Sequence, residues 1–393
     1  MTDEATDSSP ERIGVWLVGA RGSVATTTIV GGTAVAAGLA PNTGLTTMQE
    51  PLASAELVPL ESFVFGGHDI VETPLRMRAE RLVDSGVIPP GIPEAVARQL
   101  SEIETNIRFG ITWNEARTDP RTAVDRIARD IREFRETNNL DRVVVLNLSS
   151  TESPVEPHAS HNSAEALRQA LARKQAVLPP SSMYALAAIE NGCAFVDFTP
   201  STGARLPALV DMAVEAGVPL AGSDGKTGET LLKTVLAPAF ASRALRIRSW
   251  SGYNILGGGD GATLADPLKV QSKLASKSRS LEEILGYPVE SPVQIEQIRD
   301  MGEWKTAWDH ISFEGFLGIR MRMQFTWEGC DSALAAPLLL DLARLVNLAA
   351  DRGETGFIPE LGFFFKDPAG SDEHALYRQF ETLCEWALQS IPR

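Results

Sequence analysis

Lysines recur in this sequence beside neighbours that do not suit them. Lys226 lies in Gly222-Ser223-Asp224-Gly225-Lys226-Thr227-Gly228, and Lys273 and Lys277 in Gln271-Ser272-Lys273-Leu274-Ala275-Ser276-Lys277. Lys305 falls between Trp304 and Trp308, and Lys366 closes the run Phe363-Phe364-Phe365. A lysine among aromatic rings either carries its ammonium to water along its stem or is held inside by anions. Held inside, it becomes an acid–base group or a phosphate binder. Taken singly, Lys226 and Lys233 read as solvated surface lysines. That reading does not account for Lys305 or Lys366.

A second candidate site precedes them. Ile13-Gly14-Val15-Trp16-Leu17-Val18 is apolar without alternation, which predicts a strand buried on both faces. Gly19-Ala20-Arg21-Gly22-Ser23-Val24 follows, and Val24 to Gly38 predicts a helix rich in small residues. The turn departs from G-x-G-x-x-G, but its context aims backbone N–H groups at a position suited to a pyrophosphate. Asp69, just past a strand end at Phe63 to Gly67, could accept ribose hydroxyls or could simply cap. His68 beside it reads as structural. Asn147 to Glu152 follows the best strand, Arg142 to Leu148, and ligands favour the carboxyl ends of such strands. Asp224-Gly225-Lys226-Thr227 is similar to the tail of a P-loop, but the first glycine would fall at Ala221, which disfavours an ATP site. A hydride-carrying cofactor with a lysine-lined cavity points to an enzyme acting on a phosphorylated sugar.

The elements that must position these groups alternate. A second strand is expected near Gly44 to Met48, and Glu72 to Asn139 reads as charged and mostly helical, broken at Pro89-Pro90 and Pro93. A helix over 163–175, a strand at Cys193 to Phe198, a strand ending at Ala221 and a helix over Glu229 to Ser242 follow. This is an α/β pattern with an open, largely parallel sheet. From Arg246 the texture changes, with a strand at Ile247 to Tyr253 and an alternating strand pattern, including Met321, Met323 and Phe325, within Phe313 to Trp327. A smaller domain is placed at 241–330, between a first domain over 11–240 and a C-terminal return over 331–393. The helix from Asp331 to Ala350 is expected to carry Leu334, Leu338, Leu342 and Leu345 on one face.

Composition narrows the function classes. The formal charge of −15 over 393 residues argues against a nucleic-acid surface, and makes a local positive pocket necessary for an anionic substrate. No uninterrupted apolar run of membrane length stands out, so no membrane partner is expected. Cys193, Cys330 and Cys384 have no metal spacing and read as core residues in a reducing compartment. Met1 to Pro10 reads as a disordered acidic tail, and the expected location is cytoplasmic.

Several blocks resemble the myo-inositol-phosphate synthase family, closest to its compact archaeal-type members. They are Asp224 through Thr230, Tyr253-Asn254-Ile255-Leu256-Gly257 with Asp260-Gly261, Ser272-Lys273 with Ser276-Lys277, Lys305-Thr306-Ala307, and Asp331 through Leu338. The resemblance runs from about Gly14 to the end. It implies a Rossmann-like dinucleotide-binding domain completed by the C-terminus, with an inserted α/β domain for catalysis and homotetramer contacts. Lys226, Lys273, Lys277, Lys305 and Lys366 fall on the family's catalytic lysines, and Asp224, Asp260 and Asp331 on their acidic partners. NAD contacts fall on Gly19, Ala20, Arg21, Gly22, Ser23, Val24, Asp69, Ser150, Thr151, Thr199 and Asp224. Substrate contacts fall on Asn254 and Leu256, together with Lys273, Lys277, Lys305 and Lys366. A divalent cation near Asp260 stays open.

The activity implied is redox-neutral, NAD-dependent cyclisation of the hexose phosphate glucose 6-phosphate to an inositol monophosphate. Three departures from the family pattern bear on substrate fit: Trp304 replaces a small polar residue, Asp197 an asparagine and Gly252 a serine. Three alternatives remain: a diverged cyclase closing a five-membered carbocycle from fructose 6-phosphate, an NAD dehydrogenase with net turnover, and a non-catalytic NAD-binding regulator.

Overall fold

Residues 11–257 and 281–390 are described by a computed structural model; Asp260, Lys273 and Lys277 lie outside the described residues. Strands in chain order are β1 (Ile13–Val18), β2 (Phe63–Asp69), β3 (Ile107–Phe109), β4 (Arg142–Asn147), β5 (Ala194–Asp197) and β6 (Pro219–Gly222). They continue with β7 (Arg246–Leu256), β8 (Val293–Gln297), β9 (Trp304–Glu314), β10 (Arg320–Cys330) and β11 (Gly356–Phe357). Every residue of β1 is buried. Ile13, Val15 and Leu17 join one core while Trp16 and Val18 join the other, which is why the run shows no polar alternation.

The larger sheet is parallel, in the order β11-β6-β5-β4-β1-β2-β3. Chain order reverses between β1 and β4, so a crevice opens there at the carboxyl ends of the strands. Helices Ser23–Ala36 and Asp331–Asp351 supply the core on one face. Pro120–Thr137, Pro180–Glu190 and Pro207–Glu215 supply it on the other. The smaller sheet has the order β10-β9-β7-β8, with β9 antiparallel to both β7 and β10 and β8 parallel to β7. Its inner face packs Trp250 and Ile311 against Phe240 of helix Glu229–Ser242. The whole is an α/β fold with a Rossmann-like parallel sheet. All three cysteines are free and buried.

Several expectations are corrected. No strand forms at Gly44 to Met48: Thr46–Met48 is a 3₁₀ turn, and the amides of Thr46 and Thr47 donate to the Asp341 carboxylate at 2.8 and 3.2 Å. A buried carboxylate has claimed the N–H groups that a ladder would use. The charged stretch before Asn139 contains the edge strand β3, paired to β2. The stretch Phe313 to Trp327 spans the end of β9, a turn with Leu317 at φ 61° in its tip, and most of β10, where the alternating Met321, Met323 and Phe325 lie. Helix Asp331–Asp351 does not bury a single leucine face: Leu334 is 37% exposed, whereas Leu339 through Ala349 are buried all round. It is long and apolar enough to cross a membrane, and its position against the sheet explains that composition.

Candidate active site

β1 ends at Val18, and Gly19 turns the chain with φ 87°, where a side chain would also meet the Leu148 oxygen at 3.2 Å. The amides of Gly19 and Ala20 donate to the His68 oxygen at 2.8 and 3.0 Å. Helix Ser23–Ala36 begins directly after Gly22 with no side-chain cap, so its first N–H groups remain for an anion. Asp69 ends β2, and its two oxygens accept the amides of Arg21 at 2.7 Å and Val71 at 2.8 Å. The carboxylate thus shapes the turn and also lines a cavity of about 590 Å³ with Gly19, Gly22, Trp113 and Ser150. The left-handed glycine, the uncapped helix and the carboxylate at the end of β2 fit a dinucleotide.

Two further chambers continue this cavity. One of about 290 Å³ runs past Gly22, Ser23, Val24 and Ser150 to Leu256, Trp304, Lys305 and Asp331. The next, of about 120 Å³, is lined by Val24, Thr151, Thr199, Asp224, Asp331 and Lys366. Shared walls make them one groove along the carboxyl edge of the sheet. A larger depression, about 960 Å³, lies instead at the amino ends, around Arg12, Phe63 and Asn138, away from these groups.

The hairpin register builds one lysine pair. β9 starts and β10 ends together, with Trp304 opposite Cys330 and Lys305 opposite Gly329, so Lys305 emerges beside the next residue, Asp331. Its Nζ is ion-paired to Asp331 Oδ1, which also accepts the Thr227 hydroxyl at 3.0 Å. Gly228 makes room for it, since a Cβ there would stand 2.6 Å from Nζ. Burial acts to raise the Asp331 pKa, but Lys305, then Lys366 and Thr227, hold it below the ordinary value. Asp331 is therefore ionised. The second pair is Lys366 Nζ donating to Asp224 Oδ1 at 2.9 Å.

Other expected residues part company with the groove. Lys226 is neither solvated nor in the groove: it is buried, donates to Gln379 Oε1 and lies 5.9 Å from the Phe363 ring centre. Burial pulls its ammonium down to about 7. Lys233 is fully buried too, paired to Glu229 at 2.7 Å. Asn254, expected at the substrate, donates to Glu229 Oε2 at 2.8 Å and is buried off the three chambers. The Ala20 side chain is buried in the core, and the Arg21 guanidinium is committed to Glu104. His68, read as structural, has its Nε2 3.1 Å from Asp130 and also borders the 590 Å³ cavity.

Sequence reading missed a buried polar cluster under the groove. Glu229 and Lys233 sit one turn apart on helix Glu229–Ser242, and Asp309 of β9 accepts the Trp250 indole N–H at 2.7 Å. The signal was present: Glu229 and Lys233 are the one acidic and the one basic residue of that largely apolar helix, spaced i, i+4. Arg78 and Glu303, both lining the groove, carried no signal at all. Asp197, the last residue of β5, accepts from Asn147 at 3.1 Å and from the Thr199 amide and hydroxyl at 3.0 and 2.8 Å. Burial, against these bonds, pushes its carboxyl up to about 7.

A Rossmann-like sheet whose cofactor groove ends at lysines delivered partly by a second sheet defines an NAD-binding-fold enzyme. A family model for NAD-binding chains, described as myo-inositol-1-phosphate synthase, matches residues 13–387, and the chain belongs to that family. It is similar to inositol-3-phosphate synthase 1 of Bacteroides thetaiotaomicron, 35% identical over 398 residues, 92% of this chain and 91% of that one. It is also similar to inositol-3-phosphate synthase isozyme 1 of Arabidopsis thaliana, 32% identical over 321 residues, 75% of this chain and 61% of that one. In fold it resembles the crystal structure of inositol-3-phosphate synthase from Caenorhabditis elegans, with TM-score 0.86, 22% identity and coverage of 98% and 87%. A myo-inositol-1-phosphate synthase-related protein from Thermotoga maritima gives TM-score 0.76, 24% identity and coverage of 98% and 100%.

Proposed function

We propose that this enzyme converts glucose 6-phosphate to an inositol monophosphate with no net redox change, using NAD. One observation carries the reading: Lys305 with Asp331 and Lys366 with Asp224 open into the same groove as the Gly19 turn. Gly19, Gly22 and Ser23 would hold the cofactor's diphosphate, Asp69 its ribose, and Ser150, Thr151 and Thr199 its far half. When bound, NAD supplies a reversible hydride acceptor for one carbon of the sugar.

The chain's own groups serve the rest. The open-chain sugar must lose a proton beside a carbonyl and join that carbon to its aldehyde, and each event gathers negative charge on an oxygen. Lys305, ion-paired to Asp331, offers a fixed ammonium to such an oxygen in the groove. Lys366, as the neutral amine, accepts the proton of the C5 hydroxyl when hydride leaves and, as the ammonium beside Asp224, gives it back when hydride returns. Asp331 is pinned by Thr227 and so holds Lys305 in place. Lys273, Lys277 and Asp260 are proposed to complete the site, with Lys277 toward the phosphate.

A second reading concerns the sugar. Trp304 lines the chamber beside Lys305 and its indole N–H is tied to the Ser85 oxygen at 2.8 Å, so a bulky ring is fixed next to the reacting region. This favours testing fructose 6-phosphate, closing a five-membered carbocycle, as an alternative substrate. Assembly as a homotetramer is part of the proposal, supported by the exposed Phe316, Leu317 and Ile319 at the β9–β10 turn. The test is product identification by NMR from each hexose phosphate with catalytic NAD. Inositol phosphate from glucose 6-phosphate supports the first reading; a product from fructose 6-phosphate alone overturns it in favour of the second.

A further inference from the structure

Charge in the cofactor half of the groove is nearly all spoken for. Its first two chambers are lined by the cations Arg21, Arg78 and Lys305 and by the anions Asp69, Glu152, Glu303 and Asp331. Arg21 is ion-paired to Glu104 and Lys305 to Asp331. Arg78 alone, among the described residues lining these chambers, has a guanidinium with no acidic partner. Its Nε donates to the backbone oxygen of Arg21 at 2.7 Å, which anchors it to the glycine turn. The two terminal nitrogens make no other hydrogen bond among the described residues, and the side chain borders both chambers at their junction. Across the groove, Glu303 of the second-sheet unit accepts the Ser23 hydroxyl at 3.0 Å, at the first residue of the uncapped helix.

A diphosphate seated on that helix start would lie between these two side chains. Its charge would be repelled by Glu303, and the helix amides offer only partial compensation. An arginine fork anchored by Nε and open at both terminal nitrogens matches phosphate oxygens in geometry and charge. We propose that Arg78 clamps the cofactor's diphosphate and that Glu303 opposes it, so that the balance of the two sets how firmly an adenine dinucleotide is held. This rests on the dinucleotide reading of the groove.

The test uses ADP-ribose and adenosine as probes of the full chain, by calorimetry and ligand-observed NMR. Arg78→Gln weakens ADP-ribose about 10- to 100-fold, the scale for lost charge-assisted hydrogen bonds, while adenosine, which has no phosphate, binds as before. Arg78→Lys restores part of the loss. Glu303→Gln, which still accepts from Ser23, tightens ADP-ribose several-fold. Unchanged ADP-ribose affinity in Arg78→Gln, or equal loss of both probes, overturns the clamp; an unmoved Glu303→Gln overturns the opposition. If the wild-type chain binds neither ADP-ribose nor NAD, the dinucleotide reading itself falls.

Discussion

Lys366 and Asp224 are 142 positions apart in sequence and meet at 2.9 Å through their side chains, while the Lys366 amide donates to the Asp224 oxygen at 2.7 Å. Asp224 takes φ 61° to make both contacts possible, and its own amide donates to Thr199 at 3.1 Å. The loop after β6 is thereby joined to the C-terminal return segment at the point where chemistry is proposed. A residue that both bonds the fold and faces the lysine ties site geometry to chain closure.

If these lysines act on the sugar, Lys305→Ala and Lys366→Ala each lower turnover by about a hundredfold or more. NAD affinity survives in both, because the groups proposed to hold its diphosphate and ribose, at Gly19, Gly22, Ser23 and Asp69, are left intact. Steady-state rates and calorimetric NAD titrations check this. Near-normal turnover in both variants would leave the ion pairs a purely structural role.

Lys226 is expected to behave differently, since its ammonium meets Gln379 and Phe363 rather than the groove. Its folded pKa, about 7, is below the ordinary 10.5. Between those values the unfolded chain binds the extra proton, so wild-type stability rises with pH across that window. Lys226→Met removes that rise while leaving turnover close to wild type. Urea unfolding near pH 7 and again near pH 9.5 compares the two slopes; parallel slopes would contradict the assignment.

Asp197 has the opposite sign. Its folded pKa, about 7, is above the ordinary 3.8, so its stabilising contribution is full below about 4 and is lost as pH rises through 7. Asp197→Asn, which keeps an acceptor for Asn147 and Thr199, gains stability relative to wild type over the same interval and levels off above it. Thermal melts at several pH values follow the difference. A constant difference from acid to neutral would show that the carboxyl ionises normally.

Much of this was legible before the structure. The both-faced burial of β1, the glycine turn after it and the helix Glu229–Ser242 follow directly from apolar runs and small residues. The neighbours of Lys305 and Lys366 flagged the groups that the groove brings together. What stayed hidden depends on long-range contacts. Lys226 looks like its fellow lysines in sequence, and only the packing of helix Leu376–Ala387 turns it toward Gln379. The strand expected at Gly44 to Met48 fails because Asp341, nearly three hundred positions on, takes its amides. Arg78 sits in an ordinary charged helix, and its orientation depends on the Arg21 carbonyl.

Trp304 tests how the sugar is chosen. Its ring stands beside Lys305 and is fastened to Ser85, so shrinking it opens room where the sugar would react. Trp304→Asn is expected to shift the preference between glucose 6-phosphate and fructose 6-phosphate by about 1–3 kcal/mol in relative kcat/KM. Trp304→Phe, which keeps most of the ring, should hold the wild-type ratio. An unchanged ratio in the asparagine variant, with the fold intact, would reduce Trp304 to a packing residue.

The central claim is that hydride leaves one carbon of the sugar and comes back to it within a single turnover. Glucose 6-phosphate deuterated at C5, given with NAD in an amount far below the sugar, measures this directly. The account predicts a cyclised phosphate that keeps its deuterium at that carbon, with no growth of absorbance at 340 nm as product accumulates. Reduced, deuterated cofactor formed in step with product would contradict it and make the protein a dehydrogenase with net turnover.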